Sequence, residues 1–304
     1  MSKIILFYKY VNIETPHQTM NWQRELCESL NLKGRIILAT EGINATLGGT
    51  VKEIEAYIAA MNAHPLFGNI DYKYSSGGAE YFPRLRIVVK NEIVNLGINP
   101  QDLTTENTGK HLTPKQTHEL LQNKPKDLII LDGRNNYEAA VGKFEDAITP
   151  DIRYFRQFPD YIDQNLEQFK DKEVLMYCTG GIRCERASAY LKSKGIAKEV
   201  YQVEGGIHRY VEEYPDGFFK GKNYVFDARV TVKVNAEVLG NCFVCNAKCD
   251  DYMNCRNAEC NKHYIGCQDC VVRLNETCSE KCNILVLENR VHVRPQFTKL
   301  DAVK

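Results

Sequence analysis

The chain has 304 residues, 43% hydrophobic and 26% charged, a globular composition long enough for two or three domains. Basic and acidic side chains number 39 each, so no global field draws the chain to nucleic acid, and any RNA contact requires a local patch. No run of about eighteen apolar residues occurs, which excludes a predicted membrane helix. The N-terminal apolar run is short and interrupted by Lys9, so no signal peptide is read there and a cytoplasmic protein is expected.

Lys3–Val11 reads as a strand. Pro16–Leu30 reads as a helix, with Trp22, Leu26 and Leu30 at helical spacing. Gly34–Ala39 is a second strand. Thr40-Glu41-Gly42-Ile43-Asn44 is a turn, and Ala45–Leu47 resumes the strand. Thr50, with Glu53 three residues on, opens a helix over Val51–Met61. Ile70–Tyr74 and Leu85–Val89 are further strands. This order predicts a ferredoxin-like, acylphosphatase-like α+β sandwich over residues 1–96. No catalytic constellation is visible in it. Lys73, Arg84, Arg86 and Lys90, interleaved with Tyr72, Tyr74, Tyr81 and Phe82, are candidates for a basic and aromatic RNA surface. The competing reading is a solvated strand face over ordinary core aromatics.

Residues 97–112 are polar and read as a linker. Thr113 caps a helix over Thr113–Asn123, with Pro114 as its first helical residue. Asp127–Asp132 is an apolar strand ending in Asp132-Gly133-Arg134, an Asp–Arg pair suited to bracing a neighbouring loop. Val141–Ile148 holds a second short strand. Phe155–Phe158 and Tyr161–Phe169 are helical, Val174–Tyr177 is a buried strand, and Glu185–Lys192 is a helix. Glu199–Gln202 is a strand, and Gly205-Gly206-Ile207 opens a helix. The alternation over residues 113–217 predicts a doubly wound parallel sheet, whose ligand crevice lies at the carboxyl ends of its strands.

Cys178 stands at that end, in Cys178-Thr179-Gly180-Gly181-Ile182-Arg183-Cys184. A cysteine between strand and helix sits under the helix N-terminus, where N–H groups and the helix dipole stabilise a thiolate. The two glycines let the loop curl its N–H groups inward. Cys178 is therefore the candidate nucleophile. Thr179, Gly180, Gly181, Ile182 and Arg183 form its anion cradle, and Asp132, Arg134 and Cys184 are supporting residues.

Residues 218–304 are a connecting segment and a cysteine-rich module. Of the twelve cysteines, nine lie between Cys242 and Cys282. In a reducing compartment such a cluster reads as metal ligands before disulfides. The pairs Cys242/Cys245, Cys255/Cys260, Cys267/Cys270 and Cys278/Cys282 suit two tetrahedral zinc sites. A cross-braced arrangement is one way to build them, with Cys249 left over and His263 as a substitute ligand. The competing reading is a knot of free thiols. No organic cofactor is evident, nor is a His-His-carboxylate set for activating dioxygen.

Leu131-Asp132-Gly133-Arg134, the Cys178 loop and Val203-Glu204-Gly205-Gly206-Ile207 resemble the rhodanese domain, in which the loop cysteine carries a persulfide. Related phosphatases use Cys-x5-Arg; Arg183 falls at Cys-x4-Arg, which argues against phosphatase chemistry. With Glu41-Gly42-Ile43-Asn44 in a ferredoxin-like domain and the cysteine-rich tail, nearly the whole chain resembles the TrhO (UPF0176) family of bacterial tRNA uridine(34) hydroxylases. The resemblance implies oxygen-dependent 5-hydroxylation of the wobble uridine, with Cys178 essential, dioxygen as co-substrate and the tRNA anticodon arm as partner. It implies neither a membrane nor an obligate protein partner. The alternatives left open by the residues are a sulfurtransferase or persulfide carrier and a non-enzymatic redox or RNA-binding module.

Overall fold

A computed structural model describes residues 1–295. β1 (Ser2–Tyr10), α1 (Pro16–Ser29), β2 (Lys33–Ala39), β3 (Gly42–Thr50), α2 (Val51–Ala63), β4 (Lys73–Ser76) and β5 (Leu85–Val89) build the N-terminal part. The strand order is β4-β1-β3-β2-β5. The first four strands have the ferredoxin-like order, and β5 adds an edge parallel to β2. Strand alternation sends Ile5, Phe7, Ile36, Leu38, Ala45, Leu47 and Ile87 into one core. That core packs with Cys27 of α1 and with Ile54, Tyr57 and Met61 of α2. The predicted cap forms: Thr50 accepts from the Glu53 N–H, and Glu53 reaches back to the Thr50 N–H at 2.7 Å.

The next elements are β6 (Lys110–Leu112), α3 (Pro114–Asn123), β7 (Leu128–Asp132), the single turn α4 (Asn136–Ala139) and β8 (Gly142–Phe144). They are followed by α5 (Phe158–Gln164), α6 (Leu166–Phe169), β9 (Glu173–Tyr177), α7 (Ile182–Ser193), β10 (Glu199–Val203) and α8 (Gly206–Glu213). β6-β10-β9-β7 form a wholly parallel sheet. Val174 and Met176 of β9 are buried with Leu131, with Phe158 and Ile162 of α5, and with Ala187 and Leu191 of α7. Two departures from the sequence reading have physical causes. The end of the expected linker is β6, an edge strand whose Lys110 and His111 are exposed while only Leu112 is buried, so its polar composition resembles a loop. β8 does not join the parallel sheet: it pairs antiparallel with β11 (Phe219–Tyr224), a partner far away in sequence.

The described residues divide into two compact units, Met1–Asn136 with Asp146–Phe218, and Tyr137–Glu145 with residues 219–295. The N-terminal sheet and the parallel sheet thus share the first unit. The second holds β8, β11, β12 (Thr231–Lys233), the hairpin β13 (Tyr252–Asn254) and β14 (His263–Ile265), α9 (Gln268–Arg273) and α10 (Glu280–Leu287). No described helix is long and apolar enough to cross a membrane.

Candidate active site and cysteine clusters

β9 ends at Tyr177, and Cys178 opens the loop that enters α7. Cys178 is fully buried. The N–H of Gly181, a residue at φ +101, donates to its Sγ at 3.2 Å. Burial pushes the Cys178 thiol up, but four contacts outweigh it: the Cys184 side chain, the Arg183 charge and the backbone N–H groups of Cys184 and Arg183. The result is a fall from the ordinary 9.0 to about 6. That fall corresponds to ~4 kcal/mol favouring thiolate over thiol. Those contacts favour the thiolate of Cys178 at neutral pH, held in a buried cradle. Cys184, also fully buried, moves the opposite way: burial and then the Cys178 charge push it well up, so it remains a donor.

The loop is braced from below and behind. Asp132 accepts from the Arg134 N–H and Nε at 2.9 Å each, and from Arg134 Nη2 and the Tyr177 hydroxyl at 2.7 Å each. Both partners of this ion pair are completely buried, and both carboxylate oxygens of Asp132 accept hydrogen bonds. The Gly133 N–H donates to the Tyr177 carbonyl at 2.8 Å. Behind the loop, the N–H groups of Ile207 and His208 donate to the carbonyls of Cys178 and Thr179. Gly206 makes this approach possible: at φ +66, a Cβ there would lie 2.4 Å from the Cys178 carbonyl oxygen. Arg183 donates to Thr179 Oγ1 at 3.2 Å, within the loop.

The sequence reading did not foresee what covers the loop. Leu6 and Tyr8 of β1 lie against Gly180 and Gly181, where added Cβ atoms would be 2.7 and 2.8 Å from Leu6 Cδ2 and Tyr8 OH. Tyr8 donates to Glu185 Oε1 at 2.9 Å, and Tyr10 reaches the Ile182 carbonyl at 3.4 Å. Arg186, with its side chain fully buried, pairs with Glu41 at 3.1 Å and Glu92 at 3.2 Å. Glu41 of the Glu41-Gly42-Ile43-Asn44 motif thus supplies a clasp on α7, the helix that follows the Cys178 loop. The available signal was in β1, where Ile5 and Phe7 alternate with Leu6, Tyr8 and Tyr10. A strand with two apolar or aromatic faces is covered on both.

The four candidate RNA residues are not brought together. Lys73 lies on edge strand β4, buried beside Tyr8 (4.8 Å to the ring) and paired with Asp71 at 2.9 Å. Arg84, Arg86 and Lys90 are exposed at the opposite edge, on and beside β5. There Arg86 is aligned with Arg35 of β2. Of the interleaved aromatics, Tyr72, Tyr81 and Phe82 are buried in the fold, and Tyr74 is exposed.

In the second unit the cysteine pairs alternate between two quartets, Cys242/Cys245/Cys267/Cys270 and Cys255/Cys260/Cys278/Cys282. Within each, the sulfurs lie within 4.8 Å of one another. The Cys245–Cys267 and Cys260–Cys278 separations are 3.6 Å, and Cys278–Cys282 is 4.0 Å. Tetrahedral ligands about 2.3 Å from a zinc ion stand about 3.8 Å apart, so the donor sets fit that ion. N–H donors from Val244 to Cys242 and from Cys278 to Cys255 suit thiolate charge. Cys249 and His263 belong to neither quartet. His263 hydrogen-bonds Asn254 and Tyr224 and stacks on Tyr252 at 4.3 Å, so its ring nitrogens are engaged in packing.

A buried, acidified cysteine at the head of a parallel strand, cradled by loop N–H groups, defines a rhodanese-type site, here beneath a ferredoxin-like sheet. Residues 113–213 match the family described as rhodanese-like domain, residues 2–93 the UPF0176 acylphosphatase like domain, and residues 220–283 the family described as Rhodanase C-terminal. The relative named tRNA uridine(34) hydroxylase from Corynebacterium urealyticum is 40% identical over 287 residues, covering 92% of this chain and 96% of its own. Its namesake from Shouchella clausii is 38% identical over 312 residues, covering 99% and 96%. The chain belongs to the tRNA uridine(34) hydroxylase family.

Proposed function

We propose that the protein hydroxylates uridine 34 of tRNA at C5 in an oxygen-dependent reaction, with the Cys178 thiolate at the reacting centre. One observation carries this reading: a rhodanese-type thiolate drawn down to about 6 lies directly under the N-terminal sheet, in a chain related over its length to tRNA uridine(34) hydroxylases. Cys178 acts as nucleophile. The loop N–H groups and Arg183 stabilise negative charge on its adduct. Asp132 and Arg134 hold the loop and take no part in bond making.

The anticodon arm is the part of the tRNA engaged. Cross-strand register supports a path for it. Lys73, Leu6, Thr46, Arg35 and Arg86 are successive partners across the N-terminal sheet, so their side chains share the face that covers the Cys178 loop. Leu6 touches the loop, and Arg86 stands three strands away, roughly 14 Å. Arg35, Arg86, Arg84 and Lys90 form no ion pair among the described residues, which leaves them for phosphates. Loop bases splayed from the anticodon can then enter from this side. Zinc fills both cysteine quartets and holds the short elements of the second unit together, a structural task for which four thiolates per ion are suited.

The test is nucleoside mass spectrometry of tRNA from a deletion strain complemented with wild type or with Cys178→Ala. Recovery of 5-hydroxyuridine with wild type alone supports the reading. Thiosulfate-to-thiocyanate turnover without any effect on 5-hydroxyuridine overturns it in favour of a sulfurtransferase.

A further inference from the structure

We propose that Tyr8, Glu185 and His111 form a proton relay joining the reacting centre above the Cys178 loop to solvent, with Tyr8 exchanging the proton with substrate. This inference rests on the hydroxylase reading. Hydroxylation at C5 replaces a C–H bond, so one proton must leave that carbon in a site where the thiolate is completely buried.

Three elements supply the parts. Tyr8 on β1 places its hydroxyl 2.8 Å from where a Gly181 Cβ would stand, over the peptide whose N–H holds Cys178. The same hydroxyl donates to Glu185 Oε1 at 2.9 Å. His111 Nε2 lies 3.0 Å from that same oxygen, and its side chain is 42% exposed. Glu185 Oε2 is fixed by Gln202 Nε2 at 3.2 Å, which leaves Oε1 as the shared bridge. The path runs from the buried loop to the surface through two hydrogen bonds.

The ionisation states fit. Burial and then Glu185 push Tyr8 well up, so it holds its proton. Burial pushes Glu185 up, but hydrogen bonds and charge from His111, with further bonds from Tyr8 and Gln202, carry it below the usual carboxylate range. His111 is raised by its hydrogen bond to Glu185 against burial, with further charge from Glu185 and Glu204. The other groups facing the path are Lys73 over the Tyr8 ring, Asp71 on Lys73, Tyr10 beside Tyr8, and Cys178 itself.

The relay step is a proton transfer that changes no oxidation state; the oxidant of the overall hydroxylation is the dioxygen of the reading on which it rests. As the C5–H bond breaks, its electron pair stays on the base and its proton passes to the Tyr8 oxygen. Tyr8 gives its own proton to Glu185 Oε1, and that proton passes to Nε2 of neutral His111 in the tautomer whose hydrogen is on Nδ1. The imidazolium then releases its Nδ1 proton to water, and tautomer exchange through solvent frees Nε2 for the next turnover. Phenol and carboxylate are restored. Acceptance requires neutral His111, so turnover climbs with pH as His111 loses its proton.

The experiment measures single-turnover hydroxylation of tRNA across pH with wild type, Tyr8→Phe and His111→Gln, together with tRNA affinity and melting. Tyr8→Phe keeps the ring and its packing. The expected result is a rate loss of about a hundredfold or more for Tyr8→Phe at unchanged tRNA affinity. His111→Gln, on the exposed edge strand β6, is expected to lose about tenfold and to leave in the ascending pH limb only the Cys178 ionisation near 6. A Tyr8→Phe rate within about twofold of wild type, or a His111→Gln pH profile that superimposes on the wild-type one, overturns the relay. Absence of hydroxylation by wild type would instead overturn the reading on which it rests.

Discussion

Replacing Cys184 with alanine removes the side chain whose hydrogen bond leads the contacts that lower Cys178. The thiolate is favoured by ~4 kcal/mol relative to an ordinary thiol, on the fall from 9.0 to about 6. A hydrogen bond to a charged group is worth about 1.5–3 kcal/mol, so its loss raises the Cys178 midpoint by roughly 1 to 2 pH units. The thiolate fraction at pH 7 then drops from about nine-tenths to between roughly one-tenth and one-half. Cys184→Ser retains a donor at the same position and leaves the midpoint low. The assay is iodoacetamide alkylation from pH 4.5 to 9, followed on the Cys178 peptide by mass spectrometry, since the chain has twelve cysteines. An unchanged midpoint in Cys184→Ala, or a wild-type midpoint near the ordinary thiol value, would refute the argument that this neighbour sets the charge state.

Further outcomes follow from the same contacts. Gly206→Ala puts a Cβ within 2.4–2.9 Å of the Cys178 carbonyl and the Gly180 and Gly181 nitrogens, so hydroxylation should be abolished while circular dichroism stays near wild type. Arg186→Leu leaves Glu41 and Glu92 together near the protein interior and should cost about 3 kcal/mol or more in urea unfolding at pH 7. Burial already raises Glu41, and a carboxyl raised above its unfolded value stabilises the fold only while protonated. The Arg186→Leu deficit should therefore be smaller at pH 5 than at pH 8; a deficit that grows on acidification rules the clasp out. Purified protein should carry two zinc ions, and Cys245→Ser and Cys260→Ser should each remove one, measured by elemental analysis. Full metal content in both variants would refute the quartets.

Features that depend on a few neighbouring residues were legible in the chain itself. Thr50 with Glu53 and Thr113 with Pro114 mark helix starts because capping is a contact across three residues. The Cys178 loop announces its chemistry because strand, glycines and helix start lie within one short segment. The cysteine pairs likewise show as candidate metal ligands through their spacing. Conversely, Lys110 and His111 look like linker residues because an edge strand is itself half exposed to water.

Periodicity, capping and spacing along the chain mark the local parts: the ferredoxin-like and parallel βα segments, the loop cysteine set up as a thiolate and the eight paired thiols. How those parts combine is a matter of long-range contacts. The tertiary structure sent Lys73 and Arg86 to opposite edges of one sheet, alternated the cysteine pairs between two quartets, and set β8 against β11. It also laid Tyr8 and Glu41 against Glu185 and Arg186, contacts between residues 177 and 145 positions apart. The physical reason is that capping and loop geometry are fixed by neighbours along the chain. Strand order, buried ion pairs and the cover over a thiolate instead arise from distant segments sharing a core, and no local periodicity encodes which segments meet.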